Sequence, residues 1–217
     1  MKVDLIDSMG TDLTVVNAAR VSFDKTSSTL DNKDIKLIKY LAKHNHWSPF
    51  SHCFLQFRVK APIFIARQLA KHQVGLSWNE VSRRYVDSPP EFYEPETWRG
   101  KPENVKQGSD GEAKSQYFPN LYLGDVTELA LNNYDKMIVQ GVAPEMARMV
   151  LPQNMYTEWY WSGSLYAFSR VCQLRLDKTS QAEVQQVAIK LSAHCWELFP
   201  HSWDALIKEI NHEQTNT

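Results

Sequence analysis

The sequence predicts an α+β fold: a single α/β-type domain with a central mixed or antiparallel sheet flanked by helices. Two patterns carry that expectation. A few short segments alternate in polarity or are rich in aromatic and β-branched residues, as strands are. The longer segments between and after them carry apolar residues at helical spacing. A chain of 217 residues, 43% hydrophobic, is long enough to bury one real core without metals or disulfides.

"KVDLID" alternates and predicts a first strand. "TDLTVVNAARVSF" predicts a helix starting at Thr11 or Asp12. In "DNKDIKLIKYLAKHNHW", an Asp31/Asn32 cap precedes Ile35, Ile38, Leu41 and Ala42 at helical spacing. Cys53 to Val59 alternates as a strand. Pro62 suits a first helical position, so a helix is expected over 62–72. "LGDVTELALNNYDKMIVQGV" predicts a long helix from Leu123, and "APEMARMVLP" a short one ending at Pro152. "NMYTEWYWS" predicts a strand. "SLYAFSRVCQLRL" and "SQAEVQQVAIKLSAHCWELF" predict two more helices, the second with a Ser180–Glu183 capping box. The Pro-, Gly- and charge-rich residues 88–123 read as a loop insertion within one domain over 1–217, and 212–217 as a flexible tail.

Composition excludes several function classes. A net charge of −1 gives no global footprint for nucleic-acid binding. No run approaches the ~20 apolar residues of a membrane span. "MKVDLIDSMG" holds no long apolar run, so no signal peptide and a cytoplasmic location are expected. Cys53, Cys172 and Cys195 lie far apart and read as small buried hydrophobes. His44, His46 and His52 match no zinc spacing, so no metal is expected. The eight glycines form neither a Rossmann nor a P-loop cradle, and no G-x-S-x-G marks a hydrolase.

The chemistry-bearing residues gather around "KHQVGLSWNEVSRRY", Lys71 to Tyr85. On a helix, Arg67, Lys71 and Gln68 fall at about 0°, 40° and 100°, a narrow donor stripe. The stripe either complements the helix dipole or faces an anion. Val74, Leu76 and Val81 are too few to bury the following segment, leaving a loop or an edge strand. A turn within it would return Arg83 or Arg84 towards Lys71, with only Glu80 to offset the charge. Arg175 shares a helical stripe with Val171 and Phe168, so it must snorkel, pair with Asp177 or Glu183, or serve a ligand. Arg148 poses the same question beside Met146, Met149, Val150 and Leu151.

The chain resembles the flavin-dependent thymidylate synthases. The resemblance rests on "KHQ…NEVSRRY" against a signature of R-H-R, seven residues, then Ser. Further blocks follow in order: "AARVSF", "HWSPFSHCFLQFRVKAPIFIARQLAKH", "APEMARMVLPQNMYT" and "LRLDKTSQAEVQQ". It implies methylation of dUMP to dTMP with FAD as bound cofactor, NADPH as electron donor and methylenetetrahydrofolate as one-carbon donor. It implies that Gln68, Lys71, Glu80, Ser82, Arg83 and Arg84 line the dUMP site, with Arg148 reaching it from a neighbouring subunit. Arg175 is implied as the catalytic residue, set against the uracil and favouring its ionised N3 form. His52, Lys71, His72, Gln73, Glu80, Ser164 and Arg170 are implied along FAD. A homotetramer with shared sites is implied as well, with neither nucleic acid nor membrane as partner.

The signature departs from the family pattern. Lys71 and Gln73 replace its two arginines, and eight residues rather than seven precede Ser82. Lys loses the planar fork of Arg, and Gln loses the charge. The extra residue is expected to be absorbed at Gly75. Two rival readings stand beside the enzyme. One is a catalytically impaired flavin- or nucleotide-binding protein of the same fold. The other is a nucleic-acid module built on the basic stretch and Trp78. No base is marked beside Ser82, so it is assigned to binding rather than nucleophilic attack.

Overall fold

The computed structural model describes residues 1–86, 88–103 and 108–208. The expected tail at 212–217 lies outside the described residues, as does part of the expected insertion.

In chain order the elements are β1 (Lys2–Met9), α1 (Asp12–Arg20), α2 (Asn32–Lys43), β2 (Phe54–Pro62), α3 (Ile63–Leu69), β3 (Leu76–Glu80), β4 (Arg99–Gly100) and β5 (Asp110–Glu112). They continue with α4 (Tyr117–Val139), α5 (Pro144–Ala147), β6 (Tyr156–Ser164), α6 (Leu165–Arg175), α7 (Ala182–Leu198) and α8 (Pro200–Lys208). Short 3₁₀ turns cover Val21–Phe23, Ser48–His52 and Arg148–Val150.

The main sheet is antiparallel throughout, in the order β1-β2-β6-β3. Its register sets the core. Leu55, Gly163 and Leu76 share one row, and Phe57, Trp161 and Trp78 the next. Val59, Trp159 and Glu80 form the third. The period of two puts these residues on one face. Phe57 and Trp161 both meet Phe168 of α6 edge-on, at 5.0 and 5.4 Å between ring centroids. Leu165, Phe168, Val171 and Cys172 of α6, with Val184, Val187 and Leu191 of α7, complete the core against that face. Trp78 stacks on Trp159 at 4.2 Å, so its ring is committed to the core rather than offered to a base.

Helix starts follow local chemistry. Asp31 caps α2 by accepting from the backbone N–H of Lys33 and Asp34. Thr11 and Thr14 form a reciprocal box at α1. Buried Asp12 accepts from the backbone N–H of His201 and Ser202, tying α1 to the start of α8. All three cysteines are free and buried. Burial alone pushes the Cys172 thiol up, leaving it inert. Among the described residues no helix is long and apolar enough to cross a membrane.

Four local expectations are corrected. Pro62 ends β2 and acts as the N-cap of α3 rather than its first residue, because its ψ of 154° is extended. Helix α3 stops at Leu69, not at 72. Helix α4 begins at Tyr117, ahead of Leu123, so 117–123 are helical. The Ser180–Glu183 box does not form: Gln181 is the N-cap residue of α7, Ser180 Oγ donates to the Leu174 carbonyl, and Glu183 is engaged elsewhere.

Candidate active site

Helix α3 buries Ile65, Ala66 and Leu69, which turns Arg67 and Gln68 away from the core. The chain leaves the helix in a turn closed by His72 N–H donating to the Leu69 carbonyl. That turn keeps Lys71 near Arg67 although the helix has ended. Arg175, the last residue of α6, reaches across to the same place. Its Nε donates to His72 Nε2 at 3.0 Å and its Nη2 to the Gln68 carbonyl at 3.3 Å. Neither Asp177 nor Glu183 pairs with it among the described residues, which corrects the expected alternative of a salt bridge.

His72 therefore presents an unprotonated Nε2 to the arginine. Burial and then the Arg175 charge hold the ring's pKa below its ordinary value. Arg67, Gln68, Ala70, Lys71, Gln73 and Arg175 line a cavity of about 530 Å³. Gln68 and Arg175 also line an adjoining one of about 630 Å³, with Gly108, Gln173, Thr179 and Gln181 on its other walls. Arg67, Lys71 and Arg175 make no ion pair with a carboxylate among the described residues. Uncompensated cations converging on a cavity favour an anion.

The second half of "KHQVGLSWNEVSRRY" is held apart from the first. Gly75 takes φ +74° in the turn into β3, a conformation that its missing Cβ allows. Strand β3 then runs along the edge of the sheet for roughly 16 Å. The expected return of Arg83 or Arg84 to Lys71 does not occur: an edge strand paired to β6 cannot fold back on itself. Glu80 is fixed by Thr157 Oγ1 donating to Oε1 at 2.8 Å and Trp78 Nε1 donating to Oε2 at 3.2 Å. Glu80 and Arg83 line a separate cavity of about 340 Å³, shared with Arg148, Arg58, Lys60 and Glu158. Ser82 Oγ accepts from Arg84 Nε at 3.1 Å, and the Arg84 guanidinium lies over the Tyr85 ring. Among the described residues no base touches Ser82.

The remaining candidates are dispersed within one chain. His52 is exposed on the 3₁₀ turn before β2. Ser164 is buried and caps α6, its hydroxyl accepting from Ala167 N–H at 3.2 Å. Arg170 lines a small cavity of about 130 Å³ with His46, Trp47 and Tyr166. No His, Cys, Asp or Glu cluster among the described residues is placed to hold a metal ion.

Sequence reasoning missed Gln181 as a neighbour of the site, and it offered Glu183 to Arg175 rather than to Arg99. Gln68 Nε2 donates to Gln181 Oε1 at 2.6 Å, and Arg99 grips both oxygens of Glu183 at 2.8 Å. No spacing rule links residue 68 to 181. The only signal was a run of polar residues at the start of a helix.

A family model described as "Thymidylate synthase complementing protein" matches residues 4–201. The chain belongs to this family. A relative in Thermus thermophilus, named flavin-dependent thymidylate synthase, is 42% identical over 208 residues, covering 96% of this chain and 76% of its own. One of the same name in Thermosipho africanus is 39% identical over 207 residues, covering 94% and 90%. Among solved structures, the UMP/dUMP methylase PolB from Streptomyces cacaoi, bound with 5-Br dUMP, superposes with a TM-score of 0.85 at 31% identity. That match covers 94% of this chain and 93% of the other. The thymidylate synthase complementing family thus accounts for the α+β fold with its antiparallel sheet and for the order of the sequence blocks.

Proposed function

We propose that this protein is a flavin-dependent thymidylate synthase that methylates dUMP to dTMP, with FAD, NADPH and methylenetetrahydrofolate as the other reactants. The observation that carries the reading is Arg175, held by neutral His72 and the Gln68 carbonyl at a cavity with no carboxylate partner among the described residues. An arginine anchored this way is preorganised, so it can stabilise negative charge on a pyrimidine as that charge develops. Arg67 and Lys71 beside it suit phosphate.

The residues present fit a flavin nucleotide. Lys71 and Gln73 offer a cation and an amide along one rim, Arg67 and Lys71 can offset diphosphate charge, and His72 lies against Arg175. Bound FAD would supply the hydride chemistry that no side chain here can perform. Lys71, His72, Gln73, Glu80, His52, Ser164 and Arg170 are proposed along it. The protein's own part is to bind the nucleotide, orient the ring and hold Arg175 charged against it.

The two halves of the signature segment line different cavities in one chain. We therefore propose that complete sites form between subunits of a homotetramer, with Arg148, Glu80, Ser82, Arg83 and Arg84 of one chain meeting Gln68, Lys71 and Arg175 of another. Purified protein is expected to show a flavin spectrum and to form dTMP from dUMP, methylenetetrahydrofolate and NADPH. Bound FAD without turnover would favour a binding protein impaired by the Lys71 and Gln73 substitutions. A colourless protein that cannot be reconstituted with FAD would sink both readings.

A further inference from the structure

Between Asp34 and Glu80 the chain holds no acidic residue, against seven Lys or Arg, although its net charge is −1. Four of the seven are accounted for. Arg58 and Lys60 pair with Glu158 and Glu91, and Arg67 and Lys71 face the proposed nucleotide cavity. The other three, Lys36, Lys39 and Lys43, lie on α2. That helix buries Ile38, Leu41 and Ala42. At 100° per residue the three lysines then fall within about 60° of one another on its exposed side, spread over about 10 Å of helix. None of them makes an ion pair with a carboxylate among the described residues. Asp34, the acid in the first turn of α2, is taken by Arg20.

Lysines on a helix are ordinarily a solvated face. This stripe ends beside the proposed reaction site. Leu41 and Ala42, in the last turn of α2, line the small cavity that holds His46, Trp47, Tyr166 and Arg170. Arg170 is proposed along FAD and has no carboxylate partner among the described residues. Trp47 opens the 3₁₀ turn that carries His52, also proposed along FAD. Cations therefore run from the proposed neighbours of the flavin outwards along α2, from Arg170 to Lys43, Lys39 and Lys36.

We propose that this stripe of α2 binds the oligo-γ-glutamate tail of the folate co-substrate. The inference rests on the proposed function and deepens it, by naming the form of the one-carbon donor that the protein takes. The pterin end of that donor must reach the flavin and the base, so its glutamate end has to leave the site. Each γ-linked glutamate adds one carboxylate to that end. Spaced carboxylates on a flexible chain suit spaced lysines, which are point charges on flexible stems and demand no fixed angle. A diphosphate wants donors converging on one place, which Arg67 and Lys71 offer and the stripe does not. A single-stranded nucleic acid wants free aromatic faces for its bases. Here the Tyr40 ring lies against His44, with centroids 4.3 Å apart, and Trp47 against Tyr166, at 6.2 Å.

Tetrahydrofolate without its one-carbon unit cannot react, so its binding is read apart from turnover. Equilibrium dialysis on the full-length, FAD-reconstituted protein with dUMP compares its monoglutamate and tetraglutamate forms. Three exposed ion pairs compound to a preference for the tetraglutamate of about tenfold at low salt. Salt at about 0.5 M should shrink it to within about twofold. The triple variant Lys36→Gln, Lys39→Gln, Lys43→Gln should lose the preference to the same extent and bind the monoglutamate as wild type does. KM for the two methylenetetrahydrofolate forms should follow the same ratio, with kcat unchanged. Circular dichroism reports folding. If the triple variant does not fold, Lys39→Gln replaces it, with an expected fall in preference of about twofold. Four results overturn the stripe while dTMP formation keeps the enzyme assignment: no preference in wild-type protein, a preference that survives in the folded variant, equal weakening of both forms, or an oligonucleotide of the same charge binding as tightly as the tetraglutamate. A protein that binds neither form and makes no dTMP overturns the assignment and the stripe together.

Discussion

His72 accepts from Arg175 only while its Nε2 is unprotonated, so acid acts directly on the anchoring of the arginine. Burial, then the neighbouring positive charge, depress its folded-state pKa below the ordinary 6.5. The unfolded chain therefore binds the proton first as pH falls. The stabilisation from a neutral His72 is complete above 6.5 and is lost as pH drops through that value towards the lower folded one. Urea midpoints measured between pH 8 and pH 5 are expected to decline faster in wild-type protein than in His72→Gln once pH is below about 6.5. Parallel curves would count against the pairing. At this scale the sequence was informative about identity and silent about partners. Arg175 stood out because it shared a stripe with Val171 and Phe168, both fully buried. Pairing with Asp177 or Glu183, the nearby acids, was one of three alternatives beside snorkelling and serving a ligand. Instead Glu183 is taken by Arg99 from across the fold, and Arg175 finds an imidazole and a carbonyl.

At the scale of elements, strand β3 depends on a glycine pair. A Cβ at Gly163 would lie 2.4 Å from the Gly75 carbonyl oxygen and 2.5 Å from Leu76 Cδ2. Gly163 sits directly opposite Leu76 in the register, so the edge strand packs against the space where a side chain would be. Gly163→Ala should destabilise the protein by about 1–3 kcal/mol through overpacking and loosen β3, with Glu80 at its end. A thermal melt reads the first effect, and hydrogen exchange at the Ser77 and Asn79 amides, which face β6, the second. An unchanged melting midpoint would falsify this account of the edge. The amphipathic stripes of α2 and α7 and the alternation of β2 were legible, because a single buried face imposes one period. The end of α3 was not. Neither Gly nor Pro follows Leu69, and the halt comes with His72 folding back beneath Arg175.

For the molecule as a whole, the separation of the signature's two ends carries the consequence. Gln68, Lys71 and Arg175 face one cavity, while Glu80, Arg83 and Arg148 face another. Helix α4 leaves Tyr117, Phe118, Leu121, Tyr122, Val126 and Leu129 exposed, an apolar face that supports the proposed assembly. If sites are shared between subunits, Arg148→Ala and Arg175→Ala are each expected to abolish dTMP formation. Mixed oligomers made by unfolding and refolding the two together should regain activity, since some sites then receive both arginines. No recovery in mixtures shown to exchange subunits would contradict shared sites. The residues alone determined the α+β class, most element positions, the free buried cysteines and the family, because each follows from local pattern or from ordered blocks. Only the tertiary structure decided that β3 is an extended edge, that Arg175 is unpaired by any described acid, and that Gln181 meets Gln68. Those outcomes depend on which distant segments the antiparallel register and the α6–α7 packing bring within hydrogen-bond reach, and sequence spacing carries no trace of them.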